Sequence, residues 1–129
     1  MGTMPVVDEF LSAIENAAIA GCDAWGNEAV LDATVPNWRL RATGPDAIRA
    51  EYGRWFADRG KFEDLRRYPV PGIGEIVEYT LSWAENGVPH AGHHMHLLTV
   101  RDDRIVADTV FCGGRWSATL LAEMEAAHD

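Results

Sequence analysis

Residues 75–112 read EIVEYTLSWAENGVPHAGHHMHLLTVRDDRIVADTVFC. From Glu75 to Glu85 the residues alternate, with Val77, Tyr79, Leu81 and Trp83 on one side and Glu78, Thr80 and Ser82 on the other. That period of two belongs to a strand with one buried face. Asn86-Gly87 is the preferred pair for a two-residue hairpin turn, because both positions need positive φ. A long strand, 88–101, follows; Asp102-Asp103 marks a second tight turn, and 104–112 returns. The first turn pairs Glu85 with Val88, which sets Tyr79 opposite His94, Val77 opposite His96 and Trp83 opposite His90. Simple register through the second turn sets Thr109 opposite His96 and Phe111 opposite His94. The expected inner face therefore carries Tyr79, Leu81, Trp83, His94, His96, Leu98 and Phe111. Asp108 then points outward opposite Leu97, although a single bulge would turn it inward.

Working outward, residues 6–18 place Val6, Val7, Phe10, Leu11, Ile14, Ala17 and Ala18 at helical spacing, with the helix closing at Gly21. Asp23 can cap a short second helix carrying Trp25, Ala29, Val30 and Leu31, which Gly26 weakens. Between Ala33 and Thr43, Pro36 argues for an edge or irregular strand. Pro45 fits a first helical position after Gly44, and Ile48, Tyr52, Trp55 and Phe56 line one face of a third helix up to Gly60. Residues 62–70 read as a further strand. Ser117 can cap a last helix with Leu120, Leu121 and Met124 as its apolar stripe.

The 129 residues, 47% hydrophobic and 24% charged, suit one domain over 1–129. Eleven Lys+Arg against 20 Asp+Glu give a net charge of −9, and the arginines are scattered, so no cationic stripe points to nucleic acid as a partner. No apolar run approaches the ~20 residues a membrane span requires, and Met1-Gly2-Thr3-Met4-Pro5 lacks the pattern of a signal peptide. The expectation is a cytoplasmic protein with no membrane partner. Cys22 and Cys112 show neither metal nor redox spacing and read as free thiols.

Four segments carry a resemblance: the first helix leading to Leu31-Asp32-Ala33-Thr34-Val35, the helix opening Gly44-Pro45-Asp46-Ala47-Ile48-Arg49, the turn Trp83-Ala84-Glu85-Asn86-Gly87, and the turn Val100-Arg101-Asp102-Asp103-Arg104-Ile105-Val106. Together they resemble the nuclear transport factor 2-like superfamily, and within it the SnoaL-like and ketosteroid-isomerase branches. Each segment is a helix start or a hairpin turn, and none is a catalytic signature. The resemblance implies an α+β, cone-shaped cystatin-like (NTF2-like) fold: helices on a strongly bent, mainly antiparallel sheet that encloses an apolar pocket. It also implies a homodimer formed through the outer sheet face. Carried over to this chain, the isomerase's base Asp falls at Asn37, its donor Tyr at Ile14 and its protonated donor Asp at His96, while Tyr52 is kept. An amide cannot take a proton, so the usual steroid-isomerase mechanism is disfavoured.

His90, His93, His94 and His96 fall within one strand, where alternation sends His94 and His96 to the same face. An imidazole titrates near neutral pH, which makes His96, with His94 or Tyr79 beside it, the expected acid/base on a bound molecule. By analogy with dehydratases of the superfamily, the expected activity is a lyase, isomerase or cyclase step on an apolar cyclic or polyketide-like substrate. Asn37, Tyr52, Trp38, Trp83, Leu81, Leu98, Phe111 and Asp108 are the expected ligand-binding residues. No cofactor is expected. His-x-His could supply two metal ligands, but nothing in the spacing compels a third from Asn37, Asp32 or His90, so no metal is expected either. The alternative from another class is a non-catalytic ligand-binding or dimeric interaction domain whose histidines are satisfied by their neighbours.

Overall fold

The computed structural model describes residues 2–128. Along the chain run α1 (Pro5–Glu15), a single 3₁₀ turn (Ile19–Gly21), β1 (Trp25–Val35), β2 (Trp38–Thr43), α2 (Pro45–Trp55), β3 (Gly60–Val70), β4 (Gly74–Glu85), β5 (Val88–Arg101), β6 (Arg104–Cys112) and α3 (Ala118–His128). The six strands form one curled, unclosed sheet in the order β2-β1-β6-β5-β4-β3. Every neighbouring pair is antiparallel except β1 with β6. This is an α+β fold with a mixed sheet.

Both principal helices begin with proline at the first turn, where its missing N–H costs nothing. Gly44 precedes α2 at φ +90°, a conformation that side chains resist. α1 buries Val6, Val7, Phe10, Leu11 and Ile14, and α2 buries Ile48 and Tyr52. These meet Trp25, Leu31, Leu98 and Ile105 from the sheet in one core. The start of α1 is tied to the sheet by Glu75, fully buried, which accepts both Nε and Nη2 of Arg67 at 2.9 Å and the Met4 N–H at 2.6 Å.

The β4–β5 hairpin has the register set by its Asn86-Gly87 turn, with Tyr79 opposite His94, Val77 opposite His96 and Trp83 opposite His90. Two expectations are corrected elsewhere. The segment from Trp25 to Leu31 is strand, not helix: Ala29, Leu31 and Ala33 are buried in alternation, and that period of two outweighs the weaker helical spacing. Pro36-Asn37 is then the turn of a hairpin that pairs Val35 with Trp38, with Asn37 at φ +62°.

The second correction lies in the β5–β6 pair. Val100 pairs with Ile105 and Thr99 with Ala107, so Val106 is an extra residue on β6. Beyond this bulge the parity of β6 is reversed, setting His96 opposite Val110 and His94 opposite Cys112. Asp108 and Val110 therefore face inward and are buried, whereas Phe111 is 57% exposed on the outer face.

α3 buries no residue fully. Its approach runs over the outer face, where Trp116 exchanges backbone hydrogen bonds with Ala91 and stacks on His93 at 6.5 Å. Leu120 N–H is capped by the Ser117 hydroxyl at 3.2 Å. Among the described residues, no helix is long and apolar enough to cross a membrane.

Candidate functional site

Four polar side chains from four elements converge inside the sheet. His96 from β5, Asp108 from β6, Tyr79 from β4 and Tyr52 from α2 are each buried to 1% exposure or less. His96 Nδ1 lies 3.0 Å from Asp108 Oδ1, and the Tyr52 hydroxyl donates to Asp108 Oδ2 at 2.5 Å. The Tyr79 hydroxyl lies 2.9 Å from His96 Nε2. One proton arrangement satisfies all of them: Asp108 ionised, a neutral His96 donating from Nδ1, and Tyr79 donating to Nε2. A doubly protonated His96 would leave the Tyr79 proton without an acceptor. Burial raises both tyrosines well above the usual phenol range, and the charge of Asp108 adds to it, so both hydroxyls stay protonated. Phe10 closes the cluster, its ring edge-on to His96 at 5.4 Å.

A cavity of about 390 Å³ opens farther along the same face. His94, Gly92, Leu81 and Cys112 form its sheet side, and Trp55 and Trp83 are its aromatic walls. Glu51 and Arg54 border it from the last turns of α2, Arg115 from the segment before α3, and Pro36 from the β1–β2 turn. Its size is within the range of small-molecule sites. Gly92 helps to make the room, since a Cβ there would stand 3.0 Å from the Gly114 carbonyl oxygen.

His94 separates the cavity from the buried cluster. It is 6% exposed, stacks on Trp55 at 5.7 Å and meets the Tyr79 ring at 5.3 Å. Its Nδ1 is buried without a hydrogen-bond partner. Burial, helped by repulsion from His96 and His93, pushes its pKa down to about 3, so the imidazole is neutral at pH 7. An unpartnered buried acceptor is tolerated more readily than an unpartnered donor. The proton therefore belongs on Nε2, on the ring edge nearest Gly92.

The structure gathers His96, His94, Tyr79, Tyr52 and Asp108, and it places Leu81 and Trp83 in the cavity wall. Leu98 also faces inward, but into the core and away from the cavity. Three expected ligand residues lie elsewhere. Phe111 is outside because of the bulge; Asn37 is exposed in the β1–β2 turn; Trp38, at the start of edge strand β2, is 70% exposed. Arg54, Trp55, Glu51, Gly92, Cys112 and Arg115 border the cavity without having been singled out as ligand residues. Of these, the glycine interrupting a strand was the one legible signal. His93 faces outward between Thr80 and Glu78, at 2.8 Å from each. Among the described residues, no three His, Cys, Asp or Glu side chains converge as a metal site would require.

No protein-family model matches this chain, and no curated protein sequence matches it either. Solved structures do. A candidate isomerase from Bacillus subtilis superposes with a TM-score of 0.67 at 18% identity, covering 84% of each chain. An NTF-2-like protein of unknown function from Burkholderia xenovorans LB400 gives 0.60 at 22% identity, over 84% of this chain and 80% of that one. A candidate polyketide cyclase from Xanthomonas campestris pv. campestris gives 0.65 at 17% identity, over 82% and 86%. The fold is NTF2-like, as in these structures.

Proposed function

We propose that this protein binds a small, largely apolar organic molecule in the cavity beside Trp55 and Trp83 and catalyses a proton-transfer step on it, of lyase, isomerase or cyclase type. The observation that carries the reading is His94: a neutral imidazole at the floor of an apolar cavity, with the Asp108–His96–Tyr79 chain directly behind it. A neutral histidine with a depressed pKa is suited to polarise a carbonyl by hydrogen bonding, and it stays neutral at pH 7. Behind it, Asp108 holds the His96 tautomer and His96 accepts from the Tyr79 hydroxyl, which fixes the ring that His94 meets. The candidate isomerase and cyclase among the structural relatives agree with that class of chemistry. Free thiols at Cys22 and Cys112 suit a cytoplasmic setting. We propose a homodimer through the outer sheet face as the working state.

A second reading has its own support. His96, Tyr79 and Asp108 are sealed from the cavity, and an imidazole with a pKa of about 3 is a weak base, both of which suit a non-catalytic binding module. Two measurements separate the readings. In the first, imidazole ¹⁵N spectra are followed while a library of cyclic ketones and enones is titrated in. A shift at His94 Nε2 is expected, and silence from His94 across the library would remove the cavity as a ligand site. In the second, the binding ketones are incubated with the protein in D₂O. Deuterium appearing at the carbon next to the carbonyl marks an enzyme; binding without exchange marks the module.

A further inference from the structure

The hydrogen-bonding capacity around the cavity is one-sided. Glu51 spends both oxygens, accepting Arg54 Nη2 at 2.6 Å and Trp55 Nε1 at 2.9 Å. Glu85, behind the Trp83 wall, accepts Trp83 Nε1 at 2.8 Å and Arg115 Nη2. Both indole N–H groups are thus engaged, and of the two carboxylates only Glu85, which does not line the cavity, keeps an oxygen, Oε1, without a partner. What is left is donor capacity. A guanidinium has five N–H donors and no acceptor. Arg54 uses only Nη2, and so does Arg115. Their side chains are 68% and 55% exposed, so the remaining donors are within reach of a molecule entering the cavity. The guanidinium of Arg115 is further fixed 5.5 Å above the Trp83 ring. On the floor, His94 adds another donor at Nε2 once its proton is assigned as above. In a chain of net charge −9 the rim is locally balanced, since Arg54 and Arg115 are each paired with one carboxylate, and it presents free guanidinium donors without a net negative charge.

From this inventory we infer that the ligand is an organic carboxylate, its apolar body lying between Trp55 and Trp83 and its carboxylate held at the rim by Arg54 and Arg115. A carboxylate is acceptor-only and planar, so it matches the free guanidinium edges, and hydrogen bonds between ions are about twice as strong as neutral ones. An alcohol of the same shape keeps the apolar contact and loses the charged one. The inference rests on the cavity being a ligand site, as proposed above, and narrows the ligand to an anionic class.

The test is a matched pair of probes, 4-phenylbutyrate and 4-phenylbutan-1-ol, titrated against the fluorescence of Trp55 and Trp83. At low ionic strength the acid is expected to bind about tenfold more tightly than the alcohol, with the preference shrinking as salt is raised. In the Arg54→Met/Arg115→Met double variant, whose altered side chains are exposed and whose loss frees Glu51 and Glu85, the ratio of acid to alcohol affinity should fall to one or below. Circular dichroism verifies that the variant is folded. Equal affinities in the wild type, or a preference that survives in the double variant, would overturn the carboxylate inference alone. If neither probe binds, the reading of the cavity as a ligand site falls together with it.

Discussion

His94 couples the cavity to the stability of the protein. Its pKa is about 3 in the folded chain against 6.5 for a free imidazole, so between those values the unfolded chain binds the additional proton. Stability attributable to this residue is complete above pH 6.5 and is lost as the pH falls toward 3, by up to roughly 5 kcal/mol over the window. Urea unfolding measured from pH 7 to pH 4 should show this decline, and His94→Phe, which fills the space without titrating, should flatten that part of the profile. An unchanged slope in the variant would mean that another group governs acid sensitivity. Asp108 gives the second prediction at this scale. It accepts from both Tyr52 and His96, so Asp108→Ala leaves two buried donors unpartnered and should cost about 3–5 kcal/mol in chemical denaturation. Tyr79→Phe removes one hydroxyl from the end of the same chain and should cost about 1–2 kcal/mol. The pairing of Tyr79 with His94 was legible in the sequence because Asn86-Gly87 leaves the hairpin a single register. The exposure of Asn37 and Trp38 was not, because their placement depends on where a hairpin turns inside a segment with mixed periodicity.

Among the elements, β6 decides the site. The pair Asp102-Asp103 announces the turn, with both residues at positive φ in the structure, but nothing in Arg104-Ile105-Val106-Ala107-Asp108 marks the bulge. Ile105 and Val106 are both apolar, so either could be the inward residue. A carboxylate next to them favours the outward register on hydropathy alone. The buried partners of Asp108 reverse that preference; His96 is 12 residues away on β5, but Tyr52 on α2 is 56 residues away. The start of β1 is equally ambiguous in sequence, because its alternation becomes clear only when Ala29, Leu31 and Ala33 are counted as one strand face. The bulge carries a definite prediction. Deleting Val106 removes the extra residue and leaves Ile105 opposite Val100, Ala107 opposite Thr99 and Asp108 opposite Leu98, so Asp108 and Val110 stay inward without a bulge. With every inward side chain kept, the deletion variant should still unfold cooperatively and lose less than about 2 kcal/mol, the cost of changing the local twist. Loss of cooperative unfolding would instead mean that the bend the bulge gives to β6, and not its parity alone, is needed by the core.

At the scale of the molecule, the two faces of the sheet have separate tasks. The inner face is occupied by α1, α2, the buried cluster and the cavity. The outer face is covered in part by Trp116 and the approach to α3, while Met95, Leu97 and Phe111 stay 41%, 39% and 57% exposed. Met95 and Phe111 are direct cross-strand partners, and Leu97 is two residues farther along β5, so the three form one contiguous apolar patch. Contiguous apolar surface of this kind marks a contact site more often than scattered residues do. The net charge of −9 opposes self-association, and desolvation of this patch is the term available to overcome it. Sedimentation should therefore show a dimer for the wild type. Phe111→Glu, which buries a carboxylate against its own copy across a two-fold axis, should shift it to monomer. Because Phe111 lies on the opposite face from His94, ligand binding by that variant should be unchanged within about twofold, since sites with no shared partners act independently. A wild type that sediments as a monomer at all concentrations would leave the outer face without a partner copy. A monomeric variant that no longer bound ligand would instead show that assembly holds the cavity in shape.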